Sequence, residues 1–233
     1  MIEIVTLLKS RSPDLPGVLR RVIEDEGFSR FWAIGDVKLL SNPLLGLLCS
    51  IRCPGRVIVQ TYDLARALRD AGIPVIGGFH SPMEKECLDF LLRGKQPVAV
   101  CPARSITNMR IPSAWRKACA EGRLLILSPF APKHKRISAM LAEKRNKFVS
   151  FLADQFFVPY ATPGSKTEQL CLNVLSAGKQ VYTFESEKES IIVRAGAMPV
   201  TVDRLVSQLT ARMGVWSTLL TDSLSHPVKG SSK

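Results

Sequence analysis

The 233-residue sequence predicts an α/β protein: a Rossmann-like, mostly parallel sheet with helices on both faces. Three observations predict it. Short, continuously apolar runs alternate with helix-patterned segments along most of the chain, and unbroken apolar runs belong to strands covered on both sides. Most runs close on Gly, Pro, Ser or Thr before the next helical pattern begins, as strand–loop–helix units do. The apolar share, 46% of residues, supplies a sizeable core and excludes a wholly disordered chain.

The elements follow in order. A lead-in over 1–30 contains one helical pattern, PGVLRRVIEDE (16–26). LLGLLCSI (44–51) predicts the first strand, with a helix over 57–71. IPVIGG (73–78) predicts the second, with a helix from Pro82 to Leu92. QPVAVCPA (96–103) is the third, before a helix over 113–121, and RLLILSPF (123–130) is the fourth, before a long helix over 136–152. DQFFVPYA (154–161) and KQVYTF (179–184) are the fifth and sixth, separated by a helix over 166–177. Right-handed crossovers join such units into one layered domain, expected over 31–209. Residues 210–233, ending in the polar and basic LSHPVKGSSK, are expected as a short tail without a winged helix.

Composition narrows the function. A formal charge of +12 is not needed for folding, but attraction to a polyanion would use it. The six cysteines include no CxxC pair, the three histidines lie far from them in sequence, and four cysteines sit in apolar surroundings. Reduced thiols in a cytoplasmic protein are expected, with no metal site and no cofactor. No apolar stretch approaches the roughly 20 residues of a membrane span, and MIEIVTLLKSRS lacks the layout of a signal peptide, so no membrane partner is expected.

Ligands of open parallel sheets bind beyond the carboxyl ends of the strands, so the loops there hold the candidates. Cys-Ser-Ile-Arg-Cys-Pro-Gly (49–55) follows the first strand, and Gly77-Gly78 with His80 follows the second. Arg104 follows the third, and Gly164-Ser165-Lys166-Thr167 follows the fifth. Gly77-Gly78 lets backbone approach a ligand closely, and the next helix start offers amides to an anion; a tight turn alone explains the pair equally well. His80 reads as a hydrogen-bonding or capping residue more readily than as a base. The Gly164 loop is not a nucleotide-binding GxxxxGK[ST] loop, since Pro159 replaces the first glycine, but a looser phosphate cradle remains open. KHKRISAMLAEKRNK (133–147) places Lys144, Arg145 and Lys147 at one end of a basic helix and Lys133, Lys135 and Arg136 at the other. The apolar ISAML between them is expected to anchor the helix so that its basic ends reach out to phosphates. A solvated helix face is the plainer reading of such a charge run. Glu84, Glu86 and Glu168 form no paired-carboxylate arrangement, and no Ser–His spacing supports a serine nucleophile.

With these residues assembled, the chain resembles the DNA-processing protein A family (DprA, also called Smf) of the Rossmann-like SLOG superfamily. The likeness runs over about 31–209. It rests on AIGDVKLLSNPLLGLLCSIR, AGIPVIGG, Glu143-Lys144-Arg145-Asn146-Lys147, ADQFFVPYATPGSKTEQLCLNVLSAGKQVYTF and SIIVRAGAMPVTVDRLVSQL. The resemblance implies binding of single-stranded DNA in a basic pocket, a RecA-type recombinase as partner, and a homodimer. Carried over by position, the pocket contains Ser50, Arg52, Gly77, Gly78, Arg145, Asn146, Lys147, Gly164 and Ser165. Cys49-Ser50-Ile51-Arg52 departs from the family's Gly-Ser-Arg by an inserted residue and a lost glycine. The related phosphoribohydrolases offer the rival, a nucleotide-binding sensor or an enzyme that cleaves a nucleotide N-glycosidic bond. Their Pro-Gly-Gly-x-Gly-Thr-x-x-Glu is matched only in part by Pro163–Glu168, and Asn146 stands in place of their lysine.

Overall fold

The computed structural model describes residues 5–9, 12, 15–26 and 28–225. Chain order begins with β1 (Thr6–Lys9), α1 (Gly17–Glu26), β2 (Arg30–Ile34), β3 (Leu45–Leu47), α2 (Gly55–Asp70), β4 (Val75–Gly77) and α3 (Pro82–Leu91). It continues with β5 (Val98–Val100), α4 (Ser113–Ala120), β6 (Leu124–Ser128), α5 (Ala139–Leu152), β7 (Gln155–Phe157) and α6 (Lys166–Ser176). β8 (Gln180–Phe184), α7 (Ile191–Arg194), β9 (Met198–Val200) and α8 (Val202–Ser225) complete it.

The described strands form one sheet in the order β1-β2-β6-β5-β4-β3-β7-β8-β9. From β6 across to β9 every pairing is parallel, while β2 runs antiparallel to β6 and β1 antiparallel to β2. The Rossmann-like, mostly parallel architecture is therefore present. The chain steps outward from β3 to β6, then returns to lay β7 on the other side of β3. That reversal is where such sheets open a crevice.

Alternation along the strands feeds two apolar layers. Leu44, Ile76, Ala99 and Phe156 pack against α1, α5 and α6 through Leu19, Phe148 and Val174. Leu45, Val75, Val98 and Phe157 pack against α2, α3 and α8 through Leu64, Leu88 and Leu205. The helices after β3 and β7 thus lie on opposite faces. Each fully buried Leu or Phe contributes about 1.5–3 kcal/mol, which is why strands of only three residues hold their register.

All six expected strands form inside their predicted runs. β1, β2 and β9 were not legible as strands: β2 alternates in burial, and β9 is a three-residue edge strand containing Pro199. The lead-in adds β1 to the sheet edge. At the other end α8 runs through 210–225 of the expected tail, and residues 226–233 lie outside the described residues. The basic helix starts at Ala139, later than expected, because the Ser138 hydroxyl caps it by accepting from the Leu141 amide. Lys133, Lys135 and Arg136 therefore sit in the preceding loop. ISAML is not the expected anchor: Leu141 is buried, but Ile137 and Met140 are 46% and 69% exposed. The buried face of α5 is Leu141, Arg145, Phe148, Val149 and Leu152.

β3 and β7 approach closely because Gly46 has no side chain. A Cβ there would lie 2.3 Å from the Phe156 ring. Gly46→Ala is expected to destabilise the fold by about 1–3 kcal/mol through overpacking, read as a lower urea midpoint, with Phe156→Leu in the same chain recovering part of the loss.

Candidate functional site

At the reversal, the loops leaving β3 and β7 are tied to each other. The Ser50 amide donates to the Tyr160 carbonyl at 3.0 Å, and the Thr162 amide donates to Ser50 Oγ at 2.9 Å. Thr162 Oγ1 donates to the Arg52 carbonyl at 3.1 Å. Ser50 Oγ also lies 3.4 Å from Ser165 Oγ, so two hydroxyls meet at the floor of the crevice.

Ser165 is the N-cap of α6: its hydroxyl accepts from the Glu168 amide at 3.2 Å. Glu168 reaches back, its Oε2 accepting from the Gly164 amide at 2.9 Å. Gly164 has φ +71, the left-handed turn that a side chain would strain. Helix geometry leaves the amides of Lys166 and Thr167 without intrahelical acceptors, at an end where the helix dipole favours negative charge. Lys166 is exposed and pairs with Glu143 at 2.5 Å. Arg52 is exposed, and its guanidinium has no protein partner among the described residues.

A second constellation lies at the ends of β4 and β5. Arg145 projects from α5 into the protein and is only 5% exposed. Its Nη1 donates to the Cys101 carbonyl at 3.0 Å and its Nε to Asn146 Oδ1 at 2.7 Å. The guanidinium lies over Gly78, where a Cβ would fall 1.4 Å from Nη1. Phe79 takes φ 45, uncommon for a bulky residue, and packs its ring into the core below. Ser81 and Glu84 then form a capping box on α3, with Glu84 Oε2 accepting from the His80 and Ser81 amides. Burial lowers the Arg145 pKa, opposed by the charge of Glu84. No carboxylate among the described residues lies within ion-pair distance of the guanidinium. Burial pushes the Cys101 thiol up to about 12, with Arg145 acting the other way.

The structure thus brings Ser50, Arg52, Gly164, Ser165, Lys166 and Thr167 together at the crevice, and Gly77 and Gly78 with Arg145 and Asn146 one strand away. His80 is exposed beside the second group. Lys147 is exposed on α5 and lies over the Phe151 ring. Arg104 is half-buried, and its carbonyl accepts from Ser128 Oγ. Lys144 goes elsewhere: it lies over the Phe28 ring and lines a depression with Arg30, Trp32 and Pro129. Thr162, Tyr160 and Ile51 belong to the crevice loops but were not among the candidates. Thr162 is legible as the residue before Pro-Gly-Ser. Tyr160 contributes only a carbonyl, for which a sequence carries no signal.

Gly78→Ala and Arg145→Ala are each expected to destabilise the fold, the first by overpacking of about 1–3 kcal/mol or more. The double variant should lose at least about 1 kcal/mol less than the sum, because truncating Arg145 empties the space the new methyl needs. Urea midpoints of the four proteins check this, and strict additivity would reject the contact.

No family model and no curated protein sequence matches the chain. Among solved structures, it is similar to DNA processing protein A from Helicobacter pylori, whose structure describes a single-stranded DNA binding mode. The TM-score is 0.70 at 16% identity, over 88% of this chain and 99% of that one. It is similar to DNA processing protein A (DprA) from Streptococcus pneumoniae at TM-score 0.69 and 15% identity, over 84% of this chain and 71% of that one. The molybdenum cofactor binding protein from Rippkaea orientalis is more distant, at TM-score 0.51 and 10% identity, over 74% and 98%. At these identities the likeness is one of fold: the chain has the DprA fold.

Proposed function

We propose that this protein binds single-stranded DNA, with phosphates received at the β3–β7 crevice. The observation that carries the reading is the meeting of Ser50 and Ser165 hydroxyls, the start of α6 and the unpaired Arg52 at one point of a chain with net charge +12. Hydroxyls, orphan amides and a guanidinium are what a phosphate diester is bound by. The H. pylori protein of the same fold binds single-stranded DNA, which supports the choice of polymer. Gly78 and the buried cation Arg145 add a positive, close-packed wall one strand away. On this reading the protein works in the cytoplasm, in DNA uptake, recombination or defence. A RecA-type recombinase and a second copy of the chain are its expected protein partners. No helix among the described residues is long and apolar enough to cross a membrane.

A second reading has its own observation. Glu168 is buried, and its Oε1 has no hydrogen-bond partner among the described residues. That oxygen is shielded from the crevice, so it would gain a partner only if the Gly164 loop moved on binding a nucleotide, either in a sensor or in an enzyme that cleaves the N-glycosidic bond. Free base released from a nucleoside 5′-monophosphate, and lost in Glu168→Gln, identifies the enzyme; no release across the common nucleotides rejects it.

The DNA reading is tested by titrating a labelled single-stranded oligonucleotide over a salt series. Arg52→Ala and Lys166→Ala are each expected to weaken binding and to reduce the slope of log K against log salt by about 0.7, the loss of one phosphate contact on a single strand. Slopes unchanged in both variants would remove the crevice from the interface.

A further inference from the structure

The α5 and α6 helices both start at the carboxyl edge of the sheet, and a groove of about 520 Å³ runs between them. This is within the range of about 300–1,000 Å³ of small-molecule sites. It extends from Ile51, Ala139 and Lys166 at the crevice end to Phe151, Ala177 and Lys179 at the other. Its remaining lining includes the apolar Ala142, Leu170 and Val174 and three carboxamides, Asn146, Gln169 and Asn173. Of the anion contacts proposed above, only Lys166, at the crevice end, borders this space.

We infer that this groove receives bases of the strand whose phosphates occupy the crevice, an inference that rests on the reading of the protein as a single-strand binder. Three features select that occupant. Ile51 is 74% exposed and stands between Ser50 and Arg52, so one residue links the phosphate loop to the groove mouth. Its apolar surface there suits the face of a base. Asn146 Oδ1 accepts from Arg145 and Gln169 Nε2 donates to Asn173 Oδ1, which turns the Asn146 and Asn173 amino groups and the Gln169 oxygen to base edges along apolar walls that suit the ring. The charge is also complementary: the groove's one acid among the described residues, Glu143, is paired with Lys166, and Lys147 stands on the same wall. A partner helix would need apolar lips, whereas Lys147, Lys166, Gln169 and Asn173 are all exposed here. At the far end Lys179 donates to the Ser150 and Ala153 carbonyls at 2.7 and 2.6 Å, closing α5 rather than offering a further phosphate contact.

The test compares an oligothymidylate with an abasic oligonucleotide of equal length, which keeps the phosphates and removes the bases. Wild-type protein is expected to bind the base-bearing strand about tenfold more tightly, the order of one stacked base. Asn173→Trp, which fills the groove from an exposed position, should erase that difference and leave abasic affinity unchanged. Ala139→Trp, at the crevice end, provides the same readout should Asn173→Trp fail to fold. Equal wild-type affinity for the two strands overturns the inference while leaving the phosphate site standing, and so does a difference that survives in folded groove-filling variants. Failure to bind either strand overturns both.

Discussion

The constraint on which the structure turns is the adjacency of β3 and β7. They are neighbours in space but more than a hundred residues apart in the chain, and they send their helices to opposite faces. No side chain of ordinary size fits between them at Gly46, because the Phe156 ring occupies that place. Once they are side by side, their following loops have no helix above them and must satisfy their own backbone groups. They do so against each other, through Ser50, Tyr160, Thr162 and the Arg52 carbonyl. The crevice is therefore a product of topology, and the hydroxyls on its floor are held in place before any ligand arrives.

Arg145 changes the meaning of the basic helix. A cation on a helix normally reaches into water, yet this one turns inward, covers Gly78 and caps the end of β5 through the Cys101 carbonyl. Burying a guanidinium without an ion-paired carboxylate is costly, and Asn146 with one carbonyl recovers only part of that cost. The arrangement leaves positive charge fixed inside the carboxyl edge, where surrounding protein screens it less than water screens the surface lysines. An anion bound nearby gains from it without touching it. Arg145 thus serves the site by position and field, while Arg52 is the side chain with the freedom to reach.

How much of this was legible follows from what leaves a trace in composition. Strands covered on both faces must be apolar throughout, so β3 to β8 stand out as unbroken runs. β2 has alternating burial and β9 is three residues at an edge, so neither has that signature. The Gly-Ser loop and the glycine pair were legible because conformational freedom and close approach need glycine. The role of Glu168 as a cap was not singled out, although Ser165 and Glu168 have cap spacing. Arg145 was legible as basic but not as buried, because ISAML offered a more obvious apolar anchor. The competition is decided by Ser138, which starts the helix late and turns Ile137 and Met140 outward. The tie between Ser50 and Thr162 spans 112 positions and left no local pattern.

The crevice by itself would accept any phosphate, and what separates a strand from a free nucleotide is repetition. A mononucleotide brings one phosphate group to Ser50, Ser165 and Arg52 and gains from the remaining charge only at a distance. A strand brings further phosphates past Lys147, Lys166 and the loop cations Lys133, Lys135 and Arg136, all exposed. Each contact releases condensed counterions that a small ligand does not carry. Ion pairs such as Glu143 with Lys166, Asp63 with Arg66 and Glu187 with Arg56 each consume one cation along with one acid. The net excess of +12 survives such pairing, and a field of that sign and extent favours a long anion over a short one.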